Sequence, residues 1–212
     1  MQRSLVGSEM CIRDRDNRPF SSGVFDLEEF NIYTKVIDLP LDGIPTYLEE
    51  GINGVCTGGS ALFNVFSNKR RVVKNDLITI FPYQLASITE ISTDFAVIFF
   101  KVPKKLFMDT INGLGRLTLD YFFYMRKYYS SPLSEEEYKR FVHFCHILSC
   151  RVDLSCAFLR RESVMYLLRV YYWDLYVGYK SNPKAMASVK FVRKEKQVFE
   201  FFYLVIEYHT IS

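Results

Sequence analysis

The sequence predicts an α+β protein, an antiparallel β-barrel followed by an α-helical region. Three observations predict it. Between residues 30 and 102, short runs of Val, Ile, Thr, Phe and Tyr alternate with Gly, Asn and Pro, the pattern of strands joined by tight turns. At Pro103 that pattern stops. Pro103-Lys104-Lys105 suits the first turn of a helix, where proline forfeits no intrahelical bond. Ser134 then stands three residues before Glu137, a spacing at which each side chain can satisfy the other's backbone N–H.

The elements follow in order. Residues 32–39 form the first expected strand, closed by Pro40-Leu41-Asp42-Gly43. Residues 51–56 make the next, and Gly58-Gly59 breaks it. Residues 61–66 turn through Ser67-Asn68-Lys69 into 70–73, and Lys74-Asn75-Asp76 leads into 77–81 and Pro82. Residues 88–91 and 95–102 complete the set. No helix intervenes, which favours a closed barrel or sandwich over a parallel sheet.

After Pro103 a helix continues through 106–114. Ser134 opens another that runs to Cys150, with Tyr138, Phe141, Val142, Cys145 and Leu148 at core spacing. A long helix spans 155–179 and ends among Gly178, Asn182 and Pro183. The resulting organisation is a barrel at 16–102, a helical region at 103–180, a small-residue linker at 181–188, and a further helix at 189–212. That last helix is apolar nearly all round, with Arg193, Lys196, Glu200 and Glu207 on one narrow stripe. Burying it calls for a partner, either elsewhere on this chain or in helices that would follow it.

Residues 1–15 are set aside as an artefactual or disordered leader. They lack the order of a signal peptide, and resemble a translated sequencing adapter of the kind found at the ends of metagenomic reading frames. Cys11 goes with them.

Composition narrows the function. Of 212 residues, 17% are aromatic, which suits a β-rich or tightly packed core. A net charge of +3 is too small to argue for a nucleic-acid surface on this chain. Apolar runs fall short of the roughly 20 residues a bilayer span needs. Cys56, Cys145, Cys150 and Cys156 show no CxxC spacing, which suits a cytoplasmic protein, and Cys145 and Cys150, five apart on one helix, read as small buried hydrophobes.

Catalytic constellations fail one by one. His143, His146 and His209 all lie outside the β unit, although metal-binding barrels hold their ion through histidines on inner strands. His143 and His146 share a helix face without a nearby carboxylate set. Gly58-Gly59-Ser60 lacks the strand–turn–helix context of a nucleophile elbow, and Gly113-Leu114-Gly115 is a helix stop. No enzyme, cofactor or metal is expected. Along 61–66 two sets alternate, and one must line the interior; Leu62, Asn64 and Phe66 are the set assigned to an effector pocket. On the long helix, Leu159, Tyr166, Leu168 and Tyr172 are the candidates for self-association.

From Gly59 to Ala86 the residues carry a family likeness. A glycine precedes a strand, a polar turn and a second strand; then comes Asn75-Asp76, the apolar run 77–81 and Pro82. This resembles the N-terminal cupin-type sensor barrel of AraC-family transcriptional regulators. Ala86 stands where metal-binding cupins carry a histidine, a departure that suits a sensor. Arg193-Lys194-Glu195, Phe199, Phe202 and His209 are similar to the first helix of that family's DNA-binding domain, especially in its Bacteroides-like group. The resemblance covers roughly residues 20–212.

It implies a cytoplasmic, ligand-responsive regulator truncated before its recognition helices. Its expected partners are a second copy in a homodimer, a small-molecule effector, and DNA reached through a domain that would follow residue 212. No residue of this chain would contact DNA. The alternative is a standalone ligand-binding or dimerisation module that never touches DNA.

Overall fold

The computed structural model describes residues 30–115, 117–183 and 186. The expected leader at 1–15 and helix at 189–212 lie outside the described residues. Nine strands and four helices follow in order: β1 (Ile32–Tyr33), β2 (Thr46–Tyr47), β3 (Glu50–Gly58), β4 (Ser60–Val65), β5 (Asn68–Val73), β6 (Asp76–Ile80), β7 (Leu85–Thr89), β8 (Ala96–Pro103), α1 (Lys104–Asn112), α2 (Leu119–Lys127), β9 (Ser130–Pro132), α3 (Glu135–Val152) and α4 (Ala157–Lys180) among the described residues.

The strands form two antiparallel sheets rather than the single closed barrel expected from the sequence. Sheet A runs β1-β8-β3-β6-β9 and sheet B runs β2-β7-β4-β5. Where the sheets come together beside β5 and β9, side chains replace ladder bonds. Arg70 Nη1 donates to the Ser130 carbonyl at 3.0 Å, and Tyr129 Oη lies 2.9 Å from the Phe63 carbonyl and 3.0 Å from that of Asn68.

Burial alternates on β4, whose inner residues Ala61, Phe63 and Val65 are fully enclosed. Along β3 and β6 it does not alternate: residues 51–56 and the whole of β6 are buried. Sheet A is therefore covered on both faces, the situation that produces continuous apolar strands. Its inner set (Ile52, Cys56, Ile78, Ile80, Val97 and Phe99) packs with sheet B. Its other set (Val55, Leu77, Phe81, Phe100 and Val102) packs with Leu106, Tyr121, Phe141, Leu148, Val164, Leu168 and Tyr172 from the helices. The molecule has three layers, with sheet A in the middle.

The turns obey their residues. Asn75 takes φ 71°, the left-handed region that asparagine tolerates, and Asp76 Oδ2 accepts from Val73 N at 3.0 Å to close the turn. Gly59 at φ 63° sits where a Cβ would meet the Phe95 nitrogen at 2.5 Å, so the β3–β4 turn needs glycine twice over. Ser134 caps α3 with its Oγ accepting from Glu137 N, and Glu137 returns the bond to Ser134 N at 2.8 Å. Pro103 ends β8 and caps α1 instead of occupying its first turn.

Residues 32–39 depart from the expected strand. Only Ile32 and Tyr33 pair with β8; Val36–Asp38 form a 3-10 turn closed by Leu39 N on the Val36 carbonyl. Ile37 is almost fully exposed there. β-propensity without a neighbouring strand to pair with leaves no strand.

Candidate functional site

α4 is apolar on two faces, and that makes it the site. Towards the protein it buries Val164, Met165, Leu168, Tyr171, Tyr172, Tyr176 and Tyr179. Away from it, Leu159, Tyr166, Val170, Trp173 and Val177 are exposed large hydrophobics, with Tyr166 57% and Val170 58% accessible. With Ser163, these outer positions step by four, three, four, three and four residues, a heptad-type seam along one side of the helix. The seam spans about 27 Å at 1.5 Å per residue.

Of the four residues expected to mediate self-association, the structure splits two from two. Leu159 and Tyr166 lie on the outer seam. Leu168 and Tyr172 are wholly enclosed in the core and are corrected to inner-face residues. Spacing could not separate them, because both faces of α4 read as hydrophobic. Val170, Trp173 and Val177 are the seam positions that sequence reasoning missed; the four-three step was the available signal.

The inner face is held by aromatic packing, largely from α1 and α3, and is keyed to sheet A by two hydrogen bonds. Phe107 meets Tyr172 edge-on at 5.5 Å between centroids, Phe81 meets it at 6.0 Å, and Phe144 stacks on Tyr171 at 5.4 Å. Asn53 Nδ2 donates to Tyr172 Oη at 3.1 Å, and Thr79 Oγ1 lies 3.2 Å from Tyr171 Oη. Burial raises the pKa of Tyr171 and Tyr172, and of Tyr121 nearby, so all three phenols stay neutral at ordinary pH. Asn53 within the buried stretch 51–56 was the sequence signal for this contact.

α1 and α4 are also joined across their surface. Arg161 Nη2 pairs with Asp109 Oδ2 at 2.7 Å, while its Nη1 pairs with Glu162 at 2.8 Å. Arg169 Nη2 reaches the Asp109 carbonyl at 3.4 Å, a cation near the carbonyl end of α1.

The expected effector set on β4 is also corrected in its placement. Ala61, Phe63 and Val65 line the inter-sheet core, whereas Leu62 and Asn64 turn to the opposite face and are only half-buried. Phe66 leaves the strand in a turn at φ 53°, packed against the core, with the Arg126 guanidinium 3.6 Å from its ring centroid. Asparagine among the even-numbered set was the sign that this set faces outward. Asn64 Oδ1 is shielded and has no protein hydrogen-bond partner.

The remaining candidates scatter. His143 and His146 are exposed on α3, and no group of three or more metal-binding side chains occurs among the described residues. Of the two cysteines expected to be buried hydrophobes, Cys145 is buried but Cys150 is exposed; Cys56 is buried and Cys156 half-buried. Burial pushes the Cys145 thiol up to about 12, far from a reactive thiolate. No described helix is long and apolar enough to cross a membrane.

No family model matches the chain, and no curated protein does. Among solved structures, it is similar to apo ToxT, a lysine-to-alanine variant from Vibrio cholerae strain SCE256, with TM-score 0.46 and 10% identity over 74% of this chain and 55% of that one. Wild-type ToxT from the same strain, bound to an unsaturated fatty acid, gives TM-score 0.41 and 7% identity over 76% and 56%. The AraC-like transcriptional activator CuxR gives TM-score 0.32 and 10% identity over 66% and 46%. This chain thus spans little more than half the length of the ToxT chains it is similar to.

Proposed function

We propose that this chain is the sensor and dimerisation portion of an AraC-family transcription regulator, with DNA contacted by a domain beyond it. The observation that carries the reading is the two-faced α4: one side is fixed to the β unit, the other offers an apolar seam to a second copy. The sequence likeness at Asn75-Asp76 and Pro82, and again from Arg193, supplies the family. The effector contact is assigned to β4 at Asn64, beside Leu62 and Phe66, where a shielded carbonyl oxygen has no protein partner.

The seam has the energy for a modest dimer. Covering the accessible half of each large outer side chain is worth about 1 kcal/mol. Five such residues from each of two copies give about 10 kcal/mol gross, against an association cost of about 4–15 kcal/mol. At the lower end of that cost the balance is about 6 kcal/mol, so concentration-dependent pairing at tens of micromolar is the expectation. Antiparallel pairing centred near Leu167 would set Arg160 of one copy beside Asp174 of the other, which favours that direction.

Sedimentation of the wild-type chain at concentrations up to hundreds of micromolar, beside Val170→Glu, tests this. A reversible dimer that the substitution abolishes while far-UV circular dichroism is unchanged supports the reading. A wild type that stays monomeric, or a dimer indifferent to Val170→Glu, refutes it.

A further inference from the structure

The helix-facing side of sheet A is apolar at most positions of β3, β6 and β8, and polar at two that adjoin. Asn53 on β3 and Thr79 on β6 are direct register partners, and both are buried. Each meets one of two consecutive residues of α4: Asn53 meets Tyr172 at 3.1 Å and Thr79 meets Tyr171 at 3.2 Å. The same two tyrosines are bracketed in sequence by Val170 and Trp173, both on the outer seam.

Aromatic packing alone would hold α4 loosely in rotation. Ring contacts are favourable over a broad range of angles and centroid separations. A hydrogen bond weakens steeply once its angle falls below about 120°. Two such bonds from consecutive residues, about 100° apart around the helix, restrict its rotation at two points. The cluster also carries a cost that packing alone would avoid. Asn53 Oδ1 and Tyr121 Oη are buried in the same region without a protein hydrogen-bond partner. Apolar residues of the same shape would escape that desolvation penalty, so the polar pair specifies geometry more than it adds stability.

We infer that Tyr171 and Tyr172 are positioning residues: through Thr79 and Asn53 they fix the rotation of α4 about its axis, and so couple sheet A to the outward seam. The consequence for pairing rests on the dimer reading above; the fixing of α4 does not.

Trp173 is the single tryptophan of the chain and lies on the seam directly after Tyr172, so it reports α4's setting. Thr79→Val keeps the side-chain shape and removes the hydroxyl; Thr79→Ser restores it. Tyr172→Phe removes the other bond, and Tyr179→Phe is a control whose ring lies further along the helix. Acrylamide quenching of Trp173 and the sedimentation dimer constant are read for each, after far-UV circular dichroism and cooperative urea unfolding confirm the fold.

Thr79→Val and Tyr172→Phe are expected to change Trp173 quenching measurably and to weaken pairing about 2- to 10-fold, the equivalent of one hydrogen bond. Thr79→Ser and Tyr179→Phe should track the wild type. Folded variants with quenching and dimer constant both unchanged overturn the inference. Quenching that moves while the dimer constant stays fixed overturns the coupling to the seam. If the wild type never pairs, the dimer reading falls, and the quenching series alone decides whether the tyrosines position α4. Should Tyr172→Phe fail to fold, the Thr79 pair carries the test.

Discussion

Tyr129→Phe removes one oxygen from the junction where the two sheets meet beside β5 and β9, and nothing else. The ring is buried between the sheets, and its hydroxyl lies within hydrogen-bonding distance of two carbonyls, those of Phe63 on β4 and Asn68 on β5. One phenolic hydrogen shared between two acceptors contributes about 0.5–1.5 kcal/mol net, and leaving buried carbonyls short of a donor adds to the loss. The expected destabilisation is about 1–2 kcal/mol. At a urea m-value of about 2 kcal/mol/M, the unfolding midpoint should fall by about 0.5–1 M with an unchanged slope.

The same substitution carries a pH signature. Burial pushes the Tyr129 phenol from 10.0 up to about 12, against the opposing pull of the Arg70 guanidinium. Below pH 10 the phenol is neutral in both folded and unfolded chains and contributes no slope. Between about pH 10 and 12 the unfolded chain gives up the proton first, so stability falls as pH rises, by at most about 2.7 kcal/mol for a two-unit shift. Tyr121, Tyr171 and Tyr172 are raised in the same direction and steepen the loss in both proteins alike, so the difference between them is that of Tyr129. Urea midpoints measured from neutral pH to about pH 11 should therefore converge for wild type and Tyr129→Phe. An equal midpoint at neutral pH, or parallel curves into alkali, would refute the reasoning.

Three further outcomes are expected. Phe100→Ala should cost about 3–5 kcal/mol in urea unfolding, because that ring touches Phe30, Phe141, Phe144 and Tyr171 and joins β8 to α3 and α4. Gly54→Ala should destabilise by at least about 1–3 kcal/mol or prevent folding, since its Cβ would fall 2.5 Å from Phe99 Cβ and 2.7 Å from the Ile98 carbonyl; thermal unfolding measures it. Ser134→Ala should cost about 1 kcal/mol through the lost cap. The hydrogen bonds from Ser134 hold the Glu137 carboxyl below its usual value, so the cap's benefit is present above that range and lost as pH falls through the lowered pKa; denaturation at neutral and acid pH shows whether the wild-type advantage shrinks.

How much of this was legible in the sequence depended on whether a segment's partners are local. β4 and β5 form a hairpin, and the pattern of 61–66, a polar turn and 70–73 reads directly as one. The Ser134–Glu137 cap is complete within four residues, so its helix start was found. α2 was not. Its Leu119-Asp-Tyr-Phe-Phe-Tyr-Met-Arg-Lys127 run is aromatic enough to resemble a strand, and it buries only Tyr121 and Met125, one turn apart. β9 is Ser-Ser-Pro, with no strand propensity; it exists because Asp76, Leu77 and Ile78, more than fifty residues earlier in the chain, pair with it. The two sites share one ambiguity. On β4 and on α4 the apolar positions were visible, but the side on which the rest of the chain lies is set by long-range packing. Leu168 and Tyr172 were consequently placed on the seam, and Leu62 and Asn64 in the core.

Sheet A explains why those assignments are linked. β3, β6 and β8 are apolar on both faces, so each strand satisfies two cores at once, and neither the sandwich nor the helical layer can be rearranged without moving the wall they share. Gly54 makes that wall thin where β3 pairs with Phe99, and Asn53 beside it, on the helix-facing side, bonds Tyr172. A perturbation that shifts β3 by a few tenths of an ångström would be absorbed on the sandwich side by rings that slide. On the helix side it meets directional bonds, at the point where α4 turns its outer seam to solvent. The two faces differ. The sandwich side is apolar except at its end, where Glu50 pairs with Lys101. The helix side carries Asn53 and Thr79 among its apolar residues, and a change in the β unit that moved those two would reach α4 as a change in orientation.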